Sequence, residues 1–204
     1  MISTKVGGTF STADSEVTGI NASALGVLPP YSHVTATLDE APVMVARVPD
    51  IGIEGFDIFV PAEAFEGLWK ALLYVGAGPV GLDAWEIARV EAGRPEWGID
   101  IDDTTIPQEA NFDELHAVSY TKGCYIGQEV VARVHFRGHV NRVLRGLRMA
   151  DGKLPEIRAQ LLDHTDKIVG DVRSGVDSPR LGVIALGMVR REVELGTVLP
   201  VRWD

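Results

Sequence analysis

The 204-residue chain has a single cysteine, Cys124. That excludes an internal disulfide and any metal cage built from its own thiolates alone, and it fits a reducing compartment. No stretch reaches the roughly 18 consecutive apolar residues of a membrane span, and no basic region followed by an apolar run opens the sequence. These absences predict a soluble, cytoplasmic protein without membrane contact. There is no internal repeat and no Walker-type phosphate loop, and Gly76-Ala77-Gly78 lacks the third glycine and following helix of a dinucleotide fingerprint. Cations are also scarce: 19 Lys and Arg stand against 29 Asp and Glu, for a net charge of -10, which argues against nucleic-acid binding over the whole surface.

The basic charge that is present lies together. Lys122, Arg133, Arg137, Arg142, Arg145 and Arg148 meet only one acid, Glu129, so the window 122–148 carries +5 and the rest -15. The window either attracts an anion that the rest repels, or forms a solvated strand face salt-bridged to the acidic half; at a Debye length of about 8 Å its attraction is local. At its head stands Lys122-Gly123-Cys124-Tyr125-Ile126-Gly127-Gln128-Glu129. A neighbouring ammonium favours the thiolate of a cysteine, and flanking glycines leave the backbone bare for a flat ligand or a partner. The plain alternative is a buried, inert cysteine in a glycine-punctuated turn.

Residues 1–40 are rich in Ser, Thr, Gly and Ala, carry Pro29 and Pro30, and are read as loosely ordered or as an irregular wrap. Strand composition follows over 43–48 and 55–60, where Phe56, Ile58 and Val60 alternate. Phe65, Leu68, Trp69, Leu72 and Leu73 recur at helical spacing until Gly76, Gly78 and Pro79. A second helix runs from Asp83 through Trp85, Ile87, Ala88 and Val90 to Gly93 and Pro95, and a short one is read over 127–135 with Glu129 and Arg133 as an i,i+4 pair. Short strand-like runs at 141–149, 159–162, 167–174, 181–190 and 197–203 predict a small antiparallel barrel or sandwich, with 181–189 as its central strand. The fold class is therefore α+β with a domain boundary near His139.

Two clusters invite a metal reading that their spacing does not support. Asp100, Asp102, Asp103 and Glu109 do not follow an EF-hand loop and are read as a solvated loop or helix cap. His135 and His139 lie four apart, but Gly138 intervenes and no third ligand is evident. No metal site is predicted.

The octapeptide resembles the signature of the folate-binding YgfZ family, relatives of the glycine-cleavage aminomethyltransferase or T-protein. Further along the chain, Gly78-Pro79-Val80-Gly81, Ala84, Glu86, Arg89, Glu91-Ala92-Gly93, Pro95, Trp97-Gly98 and Ile106-Pro107-Gln108-Glu109 resemble the family's middle section. Gly175-Val176-Asp177-Ser178-Pro179 and Leu186-Gly187-Met188-Val189-Arg190 are similar to its C-terminal barrel. The resemblance implies an N-terminally shortened relative: an irregular remnant over 1–40, a partial, ferredoxin-like folate-binding α+β domain over 41–139, and a small antiparallel β-barrel over 140–204. Gly52-Ile53-Glu54-Gly55 stands where the T-protein has Gly-Glu-Asp-Gly, so Ile53 takes the place of a pterin-facing glutamate.

The resemblance further implies tetrahydrofolate or a derivative as cofactor and iron–sulfur enzymes, including radical enzymes that modify tRNA, as clients whose clusters are assembled or repaired. No direct nucleic-acid contact is expected. Cys124 and Lys122 become the reactive pair, and Arg89, Tyr125, Gly123, Gly127, Gln128, Glu129 and Arg133 the candidate folate contacts. Arg89 serves equally as an ion-pair partner of Glu86 or Glu109, and Tyr125 either stacks on the ligand or fills a domain junction. A folate-dependent one-carbon transferase and a non-catalytic interaction module stand as alternatives.

Overall fold

The computed structural model describes residues 2–7, 25–38 and 40–203. The chain divides into two compact units, Met1–Trp85 and Glu86–Asp204. Position 139, where the sequence suggests a boundary, lies within the second.

The first unit is a four-stranded antiparallel sheet of β1 (Ile2–Gly7), β2 (His33–Leu38), β3 (Ala41–Arg47) and β4 (Gly55–Val60), in the order β1-β4-β3-β2. Alternation puts Val43 and Val45 of β3 and Phe56, Ile58 and Val60 of β4 in the core. There they meet Leu68 and Leu72 of helix α1 (Phe65–Tyr74), whose four-residue spacing keeps both on one face. Gly76, with φ of 99°, ends that helix. The irregular reading of residues 1–40 is corrected here: Ile2–Gly7 pairs with β4 and His33–Leu38 with β3, and Val34 and Ala36 pack against the core. The remainder of that reading, over 8–24, lies outside the described residues.

Helix α2 (Leu82–Glu91) runs across the division of the chain at Trp85, and the second unit continues with a loop region, helix α3 (Gln128–Arg137) and a five-stranded antiparallel sheet. The strands are β5 (Arg142–Arg148), β6 (Gln160–Leu162), β7 (Ile168–Ser178), β8 (Gly182–Arg190) and β9 (Val201–Arg202), ordered β5-β8-β7-β6-β9. The architecture is α+β with antiparallel sheets, as the sequence predicts. Strand β8 is apolar from Val183 to Val189 because both its faces are covered: Ile184, Leu186 and Met188 pack with Val90, Leu144 and Val176, while Ala185 and Val189 pack with Leu161, Val169 and Val172. Neighbouring strands approach closely at Gly170, where a Cβ would lie 2.5 Å from the Met188 carbonyl oxygen. Only glycine fits there.

Candidate functional site

The octapeptide forms an exposed loop leading into α3. Gly127 is the N-cap at φ of 88°, a left-handed conformation that glycine adopts without the Cβ penalty, and a Cβ there would meet no atom within 4 Å. Backbone geometry rather than space therefore demands this glycine. Gln128 closes the turn reciprocally: its Oε1 accepts from the Tyr125 N–H at 3.1 Å, and its own N–H donates to the Tyr125 carbonyl at 3.3 Å. Within this turn Cys124 is exposed, so the buried reading of the cysteine does not hold. Lys122 Nζ stands 4.9 Å from the centre of the Tyr125 ring, a cation–π contact that holds the ammonium beside the thiol's loop. The Lys122 N–H donates to Ser119 Oγ at 3.2 Å. Gly123 is exposed with open space around it. Glu129 and Arg133 are exposed, and among the described residues they make no ion pair with each other, contrary to the i,i+4 expectation.

Behind the loop lies a polar cluster that the sequence reading missed. Gln108 Nε2 donates to the Val131 carbonyl at 3.1 Å and to Tyr120 Oη at 2.9 Å. Tyr120 Oη donates to Asp113 Oδ1 at 2.6 Å, and Asp113 Oδ2 lies 3.1 Å from His135 Nδ1. The Tyr120 and His135 rings stack at 3.9 Å. Burial and the neighbouring Asp113 carboxylate push the Tyr120 phenol up to about 12. This cluster fixes α3, which follows the Cys124 loop, against residues 108–120 at Val131 and His135. Tyr120 and Gln108 flank the octapeptide and an acidic stretch in the sequence, but no spacing rule links them.

Arg89 stands apart from this loop. It is 3% exposed, and its five N–H groups donate to Glu86 Oε1 and Oε2, Asp100 Oδ2, the Arg94 carbonyl and Ser174 Oγ. Burial alone would lower the guanidinium, but Glu86 and Asp100 outweigh it and the pKa is raised. Of the two roles read for Arg89, the geometry supplies the ion pair with Glu86, and a ligand would have to displace an existing bond. Glu109 pairs instead with Arg142 at 3.0 Å and caps its own turn by accepting from the Ile106 N–H at 3.2 Å. Of the two roles read for the acidic stretch, a solvated loop or a helix cap, Glu109 fills the cap, while Asp100 is fully buried and fits neither. Asp102 keeps a turn role, accepting from Thr104 and holding a lowered pKa through those bonds. Among the described residues no three His, Cys, Asp or Glu side chains group as a metal site, and no helix is long and apolar enough to cross a membrane.

In the first unit, Ile53 is half exposed on the turn between β3 and β4, and Glu54 beside it is fixed by Arg47 through two bonds of 2.8 and 2.7 Å. The pairing lowers the Glu54 carboxyl.

Residues 15–120 match the GCVT N-terminal domain, and residues 142–203 match the glycine cleavage T-protein C-terminal barrel domain. The chain is 35% identical over 173 residues to the aminomethyltransferase of Rippkaea orientalis, covering 84% of this chain and 46% of that one. It is 35% identical over 185 residues to the aminomethyltransferase of Thermosynechococcus vestitus, covering 88% and 50%. The crystal structure of glycine cleavage system aminomethyltransferase T from Bartonella henselae is similar at a TM-score of 0.70 and 25% identity, over 86% of this chain and 48% of that one. The chain thus spans about half the length of the curated relatives it matches.

Proposed function

Since the chain belongs to the glycine cleavage T-protein family, we propose that it is a folate-binding protein whose Cys124 loop supports assembly or repair of iron–sulfur clusters in client enzymes, radical tRNA-modifying enzymes among them. The observation that carries this reading is the loop itself. A solvent-facing thiol is held by the Gly127 turn and the Gln128 bonds, with the Lys122 ammonium seated on Tyr125. The octapeptide's resemblance to the YgfZ signature supplies the iron–sulfur part.

The residues suit a folate. Its flat pterin stacks on an aromatic ring, and its anionic tail seeks cations. Tyr125 offers a half-buried ring, exposed Gly123 leaves the approach open, and Lys122 brings positive charge to the same turn, with exposed Arg133 further along α3. In this reading Gly127, Gln128 and Glu129 shape the turn, Cys124 meets iron or sulfur of the client's cluster, and Lys122 keeps that meeting electrostatically favourable for an anionic cargo. Arg89 acts from a distance by holding the fold.

Titration calorimetry with tetrahydrofolate tests the folate part: saturable heat that weakens with salt and falls with Tyr125→Ala is expected, and a flat titration at millimolar ligand removes it. The names of the relatives favour a second reading, folate-dependent aminomethyl transfer. Formation of methylene-tetrahydrofolate from tetrahydrofolate and an aminomethyl donor separates that reading from the first.

A further inference from the structure

The chain ahead of the octapeptide is bound to the helix behind it. Tyr120 stacks its ring on His135 of α3 at 3.9 Å, and Phe136 meets both rings at a steep angle, 5.7 Å from Tyr120 and 4.7 Å from His135. Residues 121–127 therefore form an irregular loop whose two flanks touch. No residue of α3 is fully buried, so specific contacts carry much of its attachment. Those contacts also run in one direction. The Asp113 carboxylate only accepts, so the Tyr120 hydroxyl gives its proton to Oδ1 at 2.6 Å and accepts from Gln108 Nε2 at 2.9 Å. The same Nε2 donates to the Val131 carbonyl at 3.1 Å, while Asp113 Oδ2 faces His135 Nδ1 at 3.1 Å. Gln108 Oε1 is buried and finds no hydrogen-bond partner among the described residues. Turning the amide to use that oxygen would set it against the Val131 carbonyl and lose the bond to α3. The unpaired acceptor is thus the cost of a direction that Asp113 imposes.

We propose that Asp113, Tyr120 and His135 are positioning residues for Cys124: they close the base of its loop and hold the thiol in place before a partner arrives. The inference rests on the preceding reading of Cys124 as the group that meets the client's cluster. Cys124 is exposed, and so are Lys122, Gly123 and Ile126 around it, so the loop has little core of its own to order it. Ordering such a segment costs conformational entropy. A loop closed in advance meets that cost during folding rather than on binding, which leaves more of the contact energy for the partner. Position and stability are separable here. A role in stability alone would loosen the whole second unit, whereas a positioning role loosens α3 and the loop and leaves the sheet behind them intact.

Amide hydrogen exchange of the full chain, resolved by peptide, is the test. Asp113→Asn keeps the shape of the side chain but lets position 113 donate, so the Tyr120 proton can turn toward Gln108 and the chain of bonds loses its direction. Amides of α3 are expected to exchange about tenfold faster or more, while those of β7 and β8 change by less than about threefold. Tyr120→Leu, which removes the ring stack as well, should exceed Asp113→Asn, and Tyr120→Phe, which keeps the stack, should fall below Tyr120→Leu. Arg191→Ala, at an exposed cation in the turn after β8, leaves α3 as in the wild type. Wild-type exchange of α3 in both Asp113→Asn and Tyr120→Leu overturns the proposal. Equal acceleration across α3, β7 and β8 also overturns it, as the mark of a role in stability alone. In complemented cells, Asp113→Asn is expected to lower client activity about fivefold or more. Full activity of Asp113→Asn where Cys124→Ser is inactive overturns the positioning role, whereas full activity of both variants is the failure of the iron–sulfur reading on which it rests.

Discussion

Arg89 Nη1 donates to Asp100 Oδ2 at 2.7 Å, with the two side chains only 3% and 0% exposed. Ser174 Oγ bonds to both, accepting from Arg89 and donating to Asp100 Oδ1 at 2.7 Å each, so the trio ties α2 and the loop after it to β7. Removing the cation leaves a buried carboxylate without its counter-charge, held only by the Ser174 hydroxyl and the Glu96 N–H. Arg89→Ala should destabilise the second unit by about 3–5 kcal/mol, read as a lower midpoint in urea unfolding. Arg89→Lys should recover little, because one ammonium cannot reproduce a five-donor fork.

Gly127 makes a milder and more local prediction. Its φ of 88° penalises any side chain although the space is open, so Gly127→Ala should cost about 1–2 kcal/mol in thermal melts. Gly127→Asn should cost less than alanine, since asparagine tolerates the left-handed region. Equal losses for both would mean that crowding, not backbone conformation, governs the position.

Tyr120 should ionise near 12 rather than at the ordinary tyrosine value of about 10. The fold favours the protonated phenol, so its contribution is fully present below about pH 10 and is lost as pH rises through 10 toward 12. Ultraviolet difference titration should show one late-ionising group that Tyr120→Phe removes. A titration that Tyr120→Phe changes only near pH 10 would contradict the Tyr120–Asp113 geometry.

Acid should act on a different part of the second unit. The Glu91 carboxyl is held low by Ser178 Oγ and by Arg180, whose Nη2 lies 2.5 Å from it. A lowered carboxylate contributes stability above its ordinary value of about 4.3 and loses it as pH falls below that value. Glu91→Gln should therefore flatten the acid limb of the stability curve and leave the alkaline limb alone. An unchanged acid limb would assign the limb to other carboxylates.

Local pattern decided how much of this could be read in advance. Strand β4 was legible to its ends because Phe56, Ile58 and Val60 alternate over one buried face, and α1 because Leu68 and Leu72 repeat at helical spacing. Strand β2 was not, because among its described side chains only Val34 and Ala36 of a Thr-rich run pack against the core; their alternation was the signal available. Strand β7 continues past Ser174 to Ser178 through an irregular register between Val172 and Gly175, which composition cannot announce. The acidic stretch misled for a different reason: the Asp100 partner Ser174 is 74 residues away, and no local spacing reveals a long-range polar bond. The Cys124 loop was legible as a motif, while the Tyr120, Asp113 and His135 arrangement behind it depends on tertiary packing.

The central claim is that Cys124 of the octapeptide supplies functional chemistry that the fold does not need. Cells lacking their own family member, complemented with Cys124→Ser and assayed for a radical iron–sulfur enzyme, test it most directly alongside a thermal melt of the purified variant. Because Cys124 is exposed, the melt should change by about 1 kcal/mol or less while most client activity is lost. Full rescue of client activity by Cys124→Ser would contradict the account.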